Sequence, residues 1–498
     1  MLSSKKAFVK KSCYFLPSLT TLGASMSSKL SLYFKSFLNI GREERLKLLL
    51  LGLSFFLVIG AYTLVRELKS SMFMSIVGKE YVPVARMLAM LMLIPAILFY
   101  SFLVDKIRRY QLLYFYSILY GIAGLFCVYL VGHPTIGLPN TDASPYRIFG
   151  WLFYFFIEGF SPFVVSVFWA FANSVYDPEG AKKSYAFLVC ASKIGGMVTA
   201  GLAWALFSYR TAEGFKFFSD VVSHQVLLGF FSILVLVIPF VVYFLVKKVP
   251  KKYLHGYEAV YQFEKEKKHH EVPEKVGIFS GLIMLVKCPY ILGIFGMLFF
   301  YEVVSTVLSY HRLGVAQDNA ADISGVSGFL FMVAFIQHFF GILISFLGTR
   351  TLLRVFGERI CLMLIPAITS VLLIYFTLSY TPVAVILGLI LLQALNYAFA
   401  QPVRESLYIP TLKDIKFKSK SWIDAFGSRF AKSVGSSFVM TAERMGSAMF
   451  FPLHSAFFAV IIMLWFITAF FLGKRYNQAI ANNEVIGLEL VPEETVGI

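Results

Sequence analysis

Charged side chains interrupt segments of this chain that are otherwise apolar, and most of them are cations. The run from Leu48 to Val65 (LLLLGLSFFLVIGAYTLV) is followed at once by Arg66, Glu67 and Lys69. On a helix, Arg66 and Lys69 are three residues apart and share a face. Two cations on one face at the end of a hydrophobic helix either bind an anion or anchor the helix at the membrane interface.

Further ionisable residues lie inside apolar segments along the whole chain. Such residues are costly in a membrane and are functional-site hypotheses by default, although each one alone could be an ion pair between helices. Since the cations outnumber the acids, we expect an anion site, and phosphate is the anion that Arg and Lys bind best. The predicted phosphate-binding residues are Arg66, Lys69, Arg86, Lys193, Arg404 and Lys432. Glu158 and Glu302 either carry protons or neutralise these cations until substrate arrives, and the sequence leaves both roles open.

The composition indicates a polytopic membrane protein. Of the 498 residues, 58% are hydrophobic and 15% are charged, whereas a soluble chain has about 25% charged residues. The apolar runs are near the length of a membrane-spanning helix and lack the alternating apolar and polar residues of β-barrel strands. We therefore expect these runs to be helices that cross a lipid bilayer. The net charge of +17 lies mostly in loops. This position indicates that the basic residues set the membrane topology rather than bind nucleic acid.

The apolar segments form two groups of six, which predicts an all-α fold of twelve transmembrane helices in two halves. The predicted regions are a basic N-terminal tail at 1–46, an N-terminal half at 47–246, a basic loop at 247–286, a C-terminal half at 287–475 and a C-terminal tail at 476–498. Lys and Arg are concentrated in alternate loops, which predicts that both termini are cytoplasmic. With these boundaries, Arg312 falls in a loop on the side of the membrane away from the cytoplasm.

Short motifs recur in the two halves. NSVYDP at 173–178 is similar to ESLYIP at 405–410, and ASKIG at 191–195 is similar to AKSVG at 431–435. Two parallel six-helix repeats are the plan of major-facilitator carriers, which bind substrate near the midplane and work by alternating access. Charged motifs after the second and eighth segments are predicted to lock the cytoplasmic side; their residues are Asp105, Arg108, Arg109, Arg350 and Arg354.

Signatures of catalysis are missing from the sequence. It has no phosphate-binding GxxxxGK[ST] loop, no HExxH or GxSxG motif, and no cysteine or histidine spacing for a metal. His311 and His338 have no acidic partner at ligand spacing, so they are predicted to be packing residues or part of a polar rim rather than metal ligands. We expect neither a cofactor nor enzymatic activity. Two further hypotheses are a carrier for another organic anion, such as a sugar phosphate or dicarboxylate, and a membrane scaffold whose basic loop binds a partner or acidic lipid.

Several of these stretches resemble the TLC-type ATP/ADP translocases, the nucleotide transporters of plastids and obligate intracellular bacteria. The resemblance covers roughly residues 40–475 and rests on Arg66–Lys69, Glu158 within IEGFSPFVVSVFWAFAN, Glu302, and Tyr408–Phe426 (YIPTLKDIKFKSKSWIDAF) followed by AKS at 431–433. It implies exchange of ATP for ADP and phosphate without hydrolysis, or proton-coupled uptake of nucleoside triphosphates. The functional charges it implies are Lys69, Glu158, Glu302 and one of Lys418, Lys420 or Lys432.

The chain departs from this family pattern directly after Glu302. The family's exchangers usually have Trp and Lys there, whereas Val303 and Val304 follow in this sequence, which leaves broader or proton-coupled uptake open. The expected substrates are ATP, ADP or other nucleotides, with phosphate or protons moved beside them, by a monomer in a bacterial inner membrane. A plastid inner envelope is the alternative, because the tail at 1–46 is acid-poor and Ser-rich like a transit peptide.

Overall fold

A computed structural model describes residues 41–176, 178–209, 216, 218–250, 285–347, 349–411, 419, 422–482 and 484–487. Predictions for the tail at 1–40, for most of the basic loop, and for Lys418 and Lys420 lie outside these residues. So do predictions for the side chains of Asp105, Arg350 and Arg354. The described residues form helices, turns and one isolated bridge between Thr411 and Ile486. The predicted all-α class is therefore confirmed.

The helices fall into two consecutive sets, which we call the N-terminal set and the C-terminal set. The N-terminal set comprises α1 (Arg42–Ile76), α2 (Val82–Lys106), α3 (Arg109–Val131), α4 (Ile148–Glu158), α5 (Ser166–Val175), α6 (Pro178–Ser208) and α7 (Asp220–Lys248). The C-terminal set comprises α8 (Pro289–Asp318), α9 (Ile323–Leu347), α10 (Thr349–Ser379), α11 (Pro382–Leu395), α12 (Gln401–Ser406), α13 (Ser428–Met445) and α14 (Phe450–Ala481). One π turn, Ser161–Val165, joins α4 to α5, a second, Asn396–Ala400, joins α11 to α12, and a third, Ile423–Gly427, precedes α13.

Ten helical segments in the described ranges are long and apolar enough to cross a membrane, with α4 and α5 counted as one segment. Two of the twelve predicted segments fall short of those criteria. The tenth begins as the shorter apolar helix α11, and the eleventh is the polar helix α13. The chain is therefore a multi-pass membrane protein, and ten rather than twelve of its described segments are recognisable as spans by length and hydropathy.

Helix α1 lies at the centre of the molecule and contacts α4, α6, α7 and, across the two sets, α9. It continues eleven residues beyond the predicted end at Val65, to Ile76, so the charged residues after Val65 lie inside the bundle. Near the end of α1, Glu67 pairs with Arg312 near the end of α8, and His311 contacts His454 near the start of α14. Thus α1 begins and α14 ends at the same face, which we call the termini face; the other is the opposite face.

The recurring ASKIG and AKSVG motifs make the same kind of contact in each set. Gly195 on α6 lies so close to α1 that an added Cβ would be 2.3 Å from the Phe56 carbonyl oxygen. Gly435 on α13 lies similarly close to α8, since an added Cβ there would be 2.9 Å from the Val303 carbonyl oxygen. Small residues allow helix backbones to approach this closely in membranes. The sequence repeat therefore corresponds to a repeated helix contact.

Substituting Gly195 by alanine is expected to destabilise the protein by roughly 1–3 kcal/mol, because the methyl group overlaps a rigid backbone atom. Gly229→Ala on α7 is the matched control, since a Cβ there meets nothing within 4 Å. Helix propensity predicts that the control is neutral or stabilising by up to about 1 kcal/mol. Thermal unfolding of the two purified variants measures the difference. Equal melting temperatures would show that the close α1–α6 contact does not exist.

Candidate functional site

Glu67 is the most deeply buried carboxylate between the two sets. Its side chain is fully inaccessible and pairs with two guanidinium groups: Arg66 Nη2 lies 2.7 Å from Oε1, and Arg312 Nη2 lies 3.1 Å from Oε2. Because Arg312 belongs to α8, this group joins the sets. The sequence-based assignment of Arg312 to a loop is wrong: α8 stays helical as far as Asp318, and the Arg312 side chain is 10% exposed.

Glu158, at the end of α4, forms a second cross-set ionic group. Lys69 Nζ lies 2.5 Å from Oε2, and Arg429 Nη1 on α13 donates to Oε1 at 3.0 Å. The same Nζ is 4.3 Å from the centroid of the Tyr154 ring. The two predicted residues Lys69 and Glu158 are therefore in direct contact. Arg429 was not among the predicted site residues.

Glu302 on α8 lies in a smaller polar group within the C-terminal set. It accepts a hydrogen bond from Ser428 Oγ at 2.9 Å, and Lys432 Nζ lies 3.9 Å from its Oε2. Ser428 and Lys432 are one turn apart on α13, so this helix presents both groups to the same carboxylate. The structure thus brings the predicted Glu302 and Lys432 together at the limit of an ion pair.

Three of the predicted cations have no carboxylate partner among the described residues. Arg86 Nη1 on α2 donates to the carbonyl oxygen of Thr306 on α8 at 3.1 Å. Lys193 Nζ on α6 lies 4.4 Å from the centroid of the Tyr397 ring, which belongs to the π turn after α11. Arg404 on α12 lies within electrostatic range of Tyr397. All three are partly buried, so their positive charge is available to a ligand that enters between the sets.

The surroundings of Tyr397 show where such a ligand would enter. The residue is 47% exposed, although Lys193 from the other set covers one face of its ring. Arg66 and Glu302 also lie within electrostatic range of this ring. Part of the Tyr397 side chain is therefore left uncovered beside these charged groups. The charged groups within range of this ring are three cations, Arg66, Lys193 and Arg404, and one carboxylate, Glu302.

At the termini face, the predicted gating residue Arg108 lies between α2 and α3, and Arg109 is the first residue of α3. The backbone N–H of Arg108 donates to Gln111 Oε1 at 3.1 Å and so caps the start of α3. Through this contact Arg108 stabilises the start of α3. A gating role for Arg108 and Arg109 stays a prediction.

A polar cluster at the opposite face joins the two sets and was not predicted. Lys216 pairs with Asp220 at the start of α7 and, with Nζ–Oδ2 at 2.7 Å, with Asp322 just before α9. Ser324 Oγ donates to Asp220 at 2.8 Å. Partial burial acts to lower the pKa of Lys216, but the hydrogen bonds to both carboxylates outweigh it, and the pKa is raised. Lys216 therefore stays charged at neutral pH and loses its proton only when the solution becomes strongly alkaline.

Lys216→Met is expected to increase the fraction of molecules that are open at the opposite face about fivefold. The reason is that a part-exposed ion-pair network stabilises the closed state by about 1 kcal/mol. Lys216→Arg keeps the pairing and is the control. The measurement is the rate at which an impermeant maleimide labels a Ser327→Cys reporter, because Ser327 is buried where α9 meets α7. Equal labelling rates in both variants would contradict a closing role for Lys216.

Two helix sets with a repeated helix contact are typical of the major-facilitator fold. Solved structures agree on the fold. A D-xylose-proton symporter superposes with a TM-score of 0.59 at 14% identity, covering 85% of this chain and 96% of that one. The nucleoside transporter NupG superposes with a TM-score of 0.54 at 14% identity, covering 85% and 99%.

The family is also established. The sequence model of the TLC ATP/ADP transporter family matches residues 24–476, so the chain belongs to this family of membrane transporters, as the sequence motifs predicted. Its relatives include the ADP,ATP carrier protein 3 of Rickettsia bellii, which is 21% identical over 88% of this chain and 96% of the relative. The ADP,ATP carrier protein 1 of the same organism is 30% identical over 108 residues, 20% of this chain and 22% of the relative.

Proposed function

We propose that this protein exchanges ATP for ADP across a membrane by alternating access. The observation that carries the proposal is the surplus of cations between the sets, where Arg86, Lys193 and Arg404 have no carboxylate partner among the described residues. A nucleotide brings three or four negative charges on its phosphates, and Arg forks and Lys ammonium groups match them. An uncharged sugar would leave these cations buried without compensation.

The ionic group around Glu158 supplies a way to couple binding to movement. Lys69 and Arg429 are held by one carboxylate although they belong to different sets. When phosphates reach these two cations, they compete with Glu158, and the link between α4 and α13 is weakened. A ligand shifts a conformational equilibrium only through its different affinity for the two states. Exchange of partners at Glu158 provides that difference.

The remaining features of the proposal follow from the family and from the loop charges. The protein lies in a bacterial cell membrane with both termini in the cytoplasm, as the excess of Lys and Arg in loops of the termini face favours. It works as a monomer, since one chain supplies both sets and all the cations of the site. Phosphate accompanies ADP in the outward direction.

Uptake by intact cells that express the protein tests this function. Labelled ATP, ADP and other nucleoside triphosphates are supplied with and without an uncoupler, and unlabelled sugar phosphates and dicarboxylates are added as competitors. We expect uptake of ATP that is competed by ADP and survives the uncoupler. Uptake that the uncoupler abolishes would establish proton coupling instead of exchange. Competition by a sugar phosphate at equal concentration would assign the carrier to another organic anion.

A further inference from the structure

His338 on α9 is a buried histidine that has one polar partner. Its Nε2 atom lies 3.0 Å from Oγ1 of Thr63 on α1, so the contact joins the two sets. The other ring nitrogen, Nδ1, is enclosed and has no hydrogen-bond partner among the described residues, and the residue as a whole is 6% exposed. Unpaired buried polar atoms are rare because they are costly. Packing alone therefore does not account for a histidine at this position.

The contact with Thr63 determines which ring nitrogen carries the hydrogen. Thr63 is 1% exposed, and in the described part of the chain its hydroxyl has His338 as its one hydrogen-bond partner. A buried hydroxyl group donates where an acceptor is within reach, and here that acceptor is Nε2. In a neutral imidazole the hydrogen then resides on the other nitrogen, an assignment that follows from the hydrogen-bond network. Nδ1–H is therefore a donor without an acceptor.

Two cations lie within electrostatic range of the His338 ring, Lys193 on α6 and Arg66 on α1. Arg66 is one turn after Thr63. Lys193 extends along α9 beside Gly341, where an added Cβ would lie 4.0 Å from Nζ, and Gly341 is one turn after His338. Among the described residues, neither Lys193 nor the imidazole pairs with a carboxylate. The two cations oppose a third positive charge, so the ring stays neutral, and they attract an anion to the same place.

A phosphate group fits these three neighbours. Each phosphate oxygen accepts more than one hydrogen bond, so one oxygen can bind an ammonium group and an imidazole N–H together. A neutral ligand would accept the N–H bond but leave Lys193 without a counter-charge. We propose that His338 is a further phosphate-binding residue, whose Nδ1–H donates to a phosphate oxygen of the nucleotide beside Lys193. This inference deepens the proposed function and rests on it.

The contact between α6 and α9 determines when this bond forms. An added Cβ at Gly196 on α6 would overlap the imidazole, so α6 covers the ring in the present conformation. Nearer the opposite face, Phe207 on α6 packs on Phe331 on α9, with 6.0 Å between the ring centroids. Nδ1 thus becomes accessible when α6 separates from α9, and this separation opens the opposite face. The bond to phosphate therefore belongs to the state that is open there.

Such a bond makes nucleotide binding and opening reinforce each other. A ligand shifts a conformational equilibrium only as far as its affinities for the two states differ. A hydrogen bond to a charged acceptor contributes a factor of roughly ten or more to an equilibrium constant, beyond the bond to water that it replaces. His338 should therefore raise the ATP-induced opening at the opposite face by about tenfold. A residue that only packs between helices would not distinguish the loaded carrier from the empty one.

The Ser327→Cys reporter, labelled by an impermeant maleimide with and without ATP, tests this role. We expect the acceleration by ATP to be about tenfold smaller in His338→Gln than in the reporter alone, because glutamine places its amide nitrogen where Nε2 lies and leaves none at Nδ1. His338→Asn places an amide nitrogen at Nδ1 and should retain most of the acceleration. His454→Gln is the matched control and should respond like the reporter alone, since both ring nitrogens of this buried histidine have partners. An equal acceleration in His338→Gln and in the reporter alone would overturn the inference.

Nitrogen-15 NMR of the purified protein with labelled histidine separates failure of this site from failure of the proposed function. Without ligand, His338, whose signal is assigned by its loss in His338→Asn, should carry its hydrogen on Nδ1. Saturating ATP, and inorganic triphosphate as a probe without base or sugar, should shift the signal of that hydrogen downfield. If vesicles exchange no ATP for ADP, the proposed function fails, and the shift with triphosphate alone decides on the site. A hydrogen on Nε2, or an Nδ1–H signal that neither ligand shifts, would contradict a phosphate-binding role for His338.

Discussion

Replacing Glu158 by glutamine is expected to slow ATP/ADP exchange by about 100-fold or more while ATP binds more tightly. Glutamine keeps the volume of the side chain but removes the charge that holds Lys69 and Arg429. Loss of one partner from a buried ionic group is worth about 3–5 kcal/mol. In this carrier the unopposed cations would bind the phosphates instead and release them slowly. Exchange of labelled ATP by ADP-loaded vesicles measures the rate, and the ATP-dependent rise in melting temperature measures binding.

The opposite pattern would contradict the competition between Glu158 and phosphate. If Glu158→Gln abolished the stabilisation by ATP, Glu158 would contribute to nucleotide binding rather than oppose it. Glu484→Gln is the matched control, because Glu484 also pairs with an arginine, Arg475, but lies exposed in the C-terminal tail. We expect the control to exchange ATP at a rate within about twofold of wild type, as is usual for surface ion pairs.

Lys69→Ala is expected to abolish nucleotide uptake and the stabilisation by ATP together, while the protein still inserts in the membrane. Glu158 keeps its bond to Arg429 in this variant, so the carboxylate is not left unpaired and the fold is retained. The site loses one of the two cations that receive phosphate. Truncation of one member of a buried charge pair costs about 2–5 kcal/mol, which corresponds to a loss of at least about 30-fold.

Two further variants make the Lys69 experiment specific. Lys474→Ala removes an exposed lysine near the end of α14 and should leave uptake unchanged. Lys69→Arg keeps the positive charge and should restore part of the uptake. The recovery should be incomplete, because a planar guanidinium group does not fit the position of a compact ammonium group. Uptake by Lys69→Ala within twofold of wild type would remove this residue from the phosphate site.

The sequence was sufficient to predict the helical class and most of the buried charges. An ionisable residue inside an apolar run is conspicuous, and Lys69, Glu158 and Glu302 were predicted for that reason. Their contacts were not predictable, because each partner is far along the chain: Lys69 meets Glu158, and Glu158 meets Arg429 on another helix set. Pairing of this kind depends on helix rotation and register, which hydropathy does not encode.

Arg312 and Arg429 were missed for a related reason. Hydropathy ends a helix where polar residues accumulate, but α8 continues to Asp318, and Arg312 in its polar last turns pairs with Glu67 of the other helix set. Arg429 lies at the start of α13 in a stretch of serine, glycine and lysine, SRFAKSVGSS, which does not resemble a membrane helix. The π turns that precede or interrupt these helices also leave no hydropathy signal, since each adds a single residue to one turn.

The polar character of α13 has a consequence for the biogenesis of the protein. Its eighteen residues include Arg429, Lys432, Glu443 and Arg444 and are polar on average, and charged residues oppose insertion of a helix into the membrane, most strongly near its centre. The isolated segment would therefore leave the translocon toward water. Because α14 follows after only a short turn and is strongly apolar, the two helices should integrate as a hairpin, with α14 retaining its neighbour in the bilayer until the bundle has assembled around it.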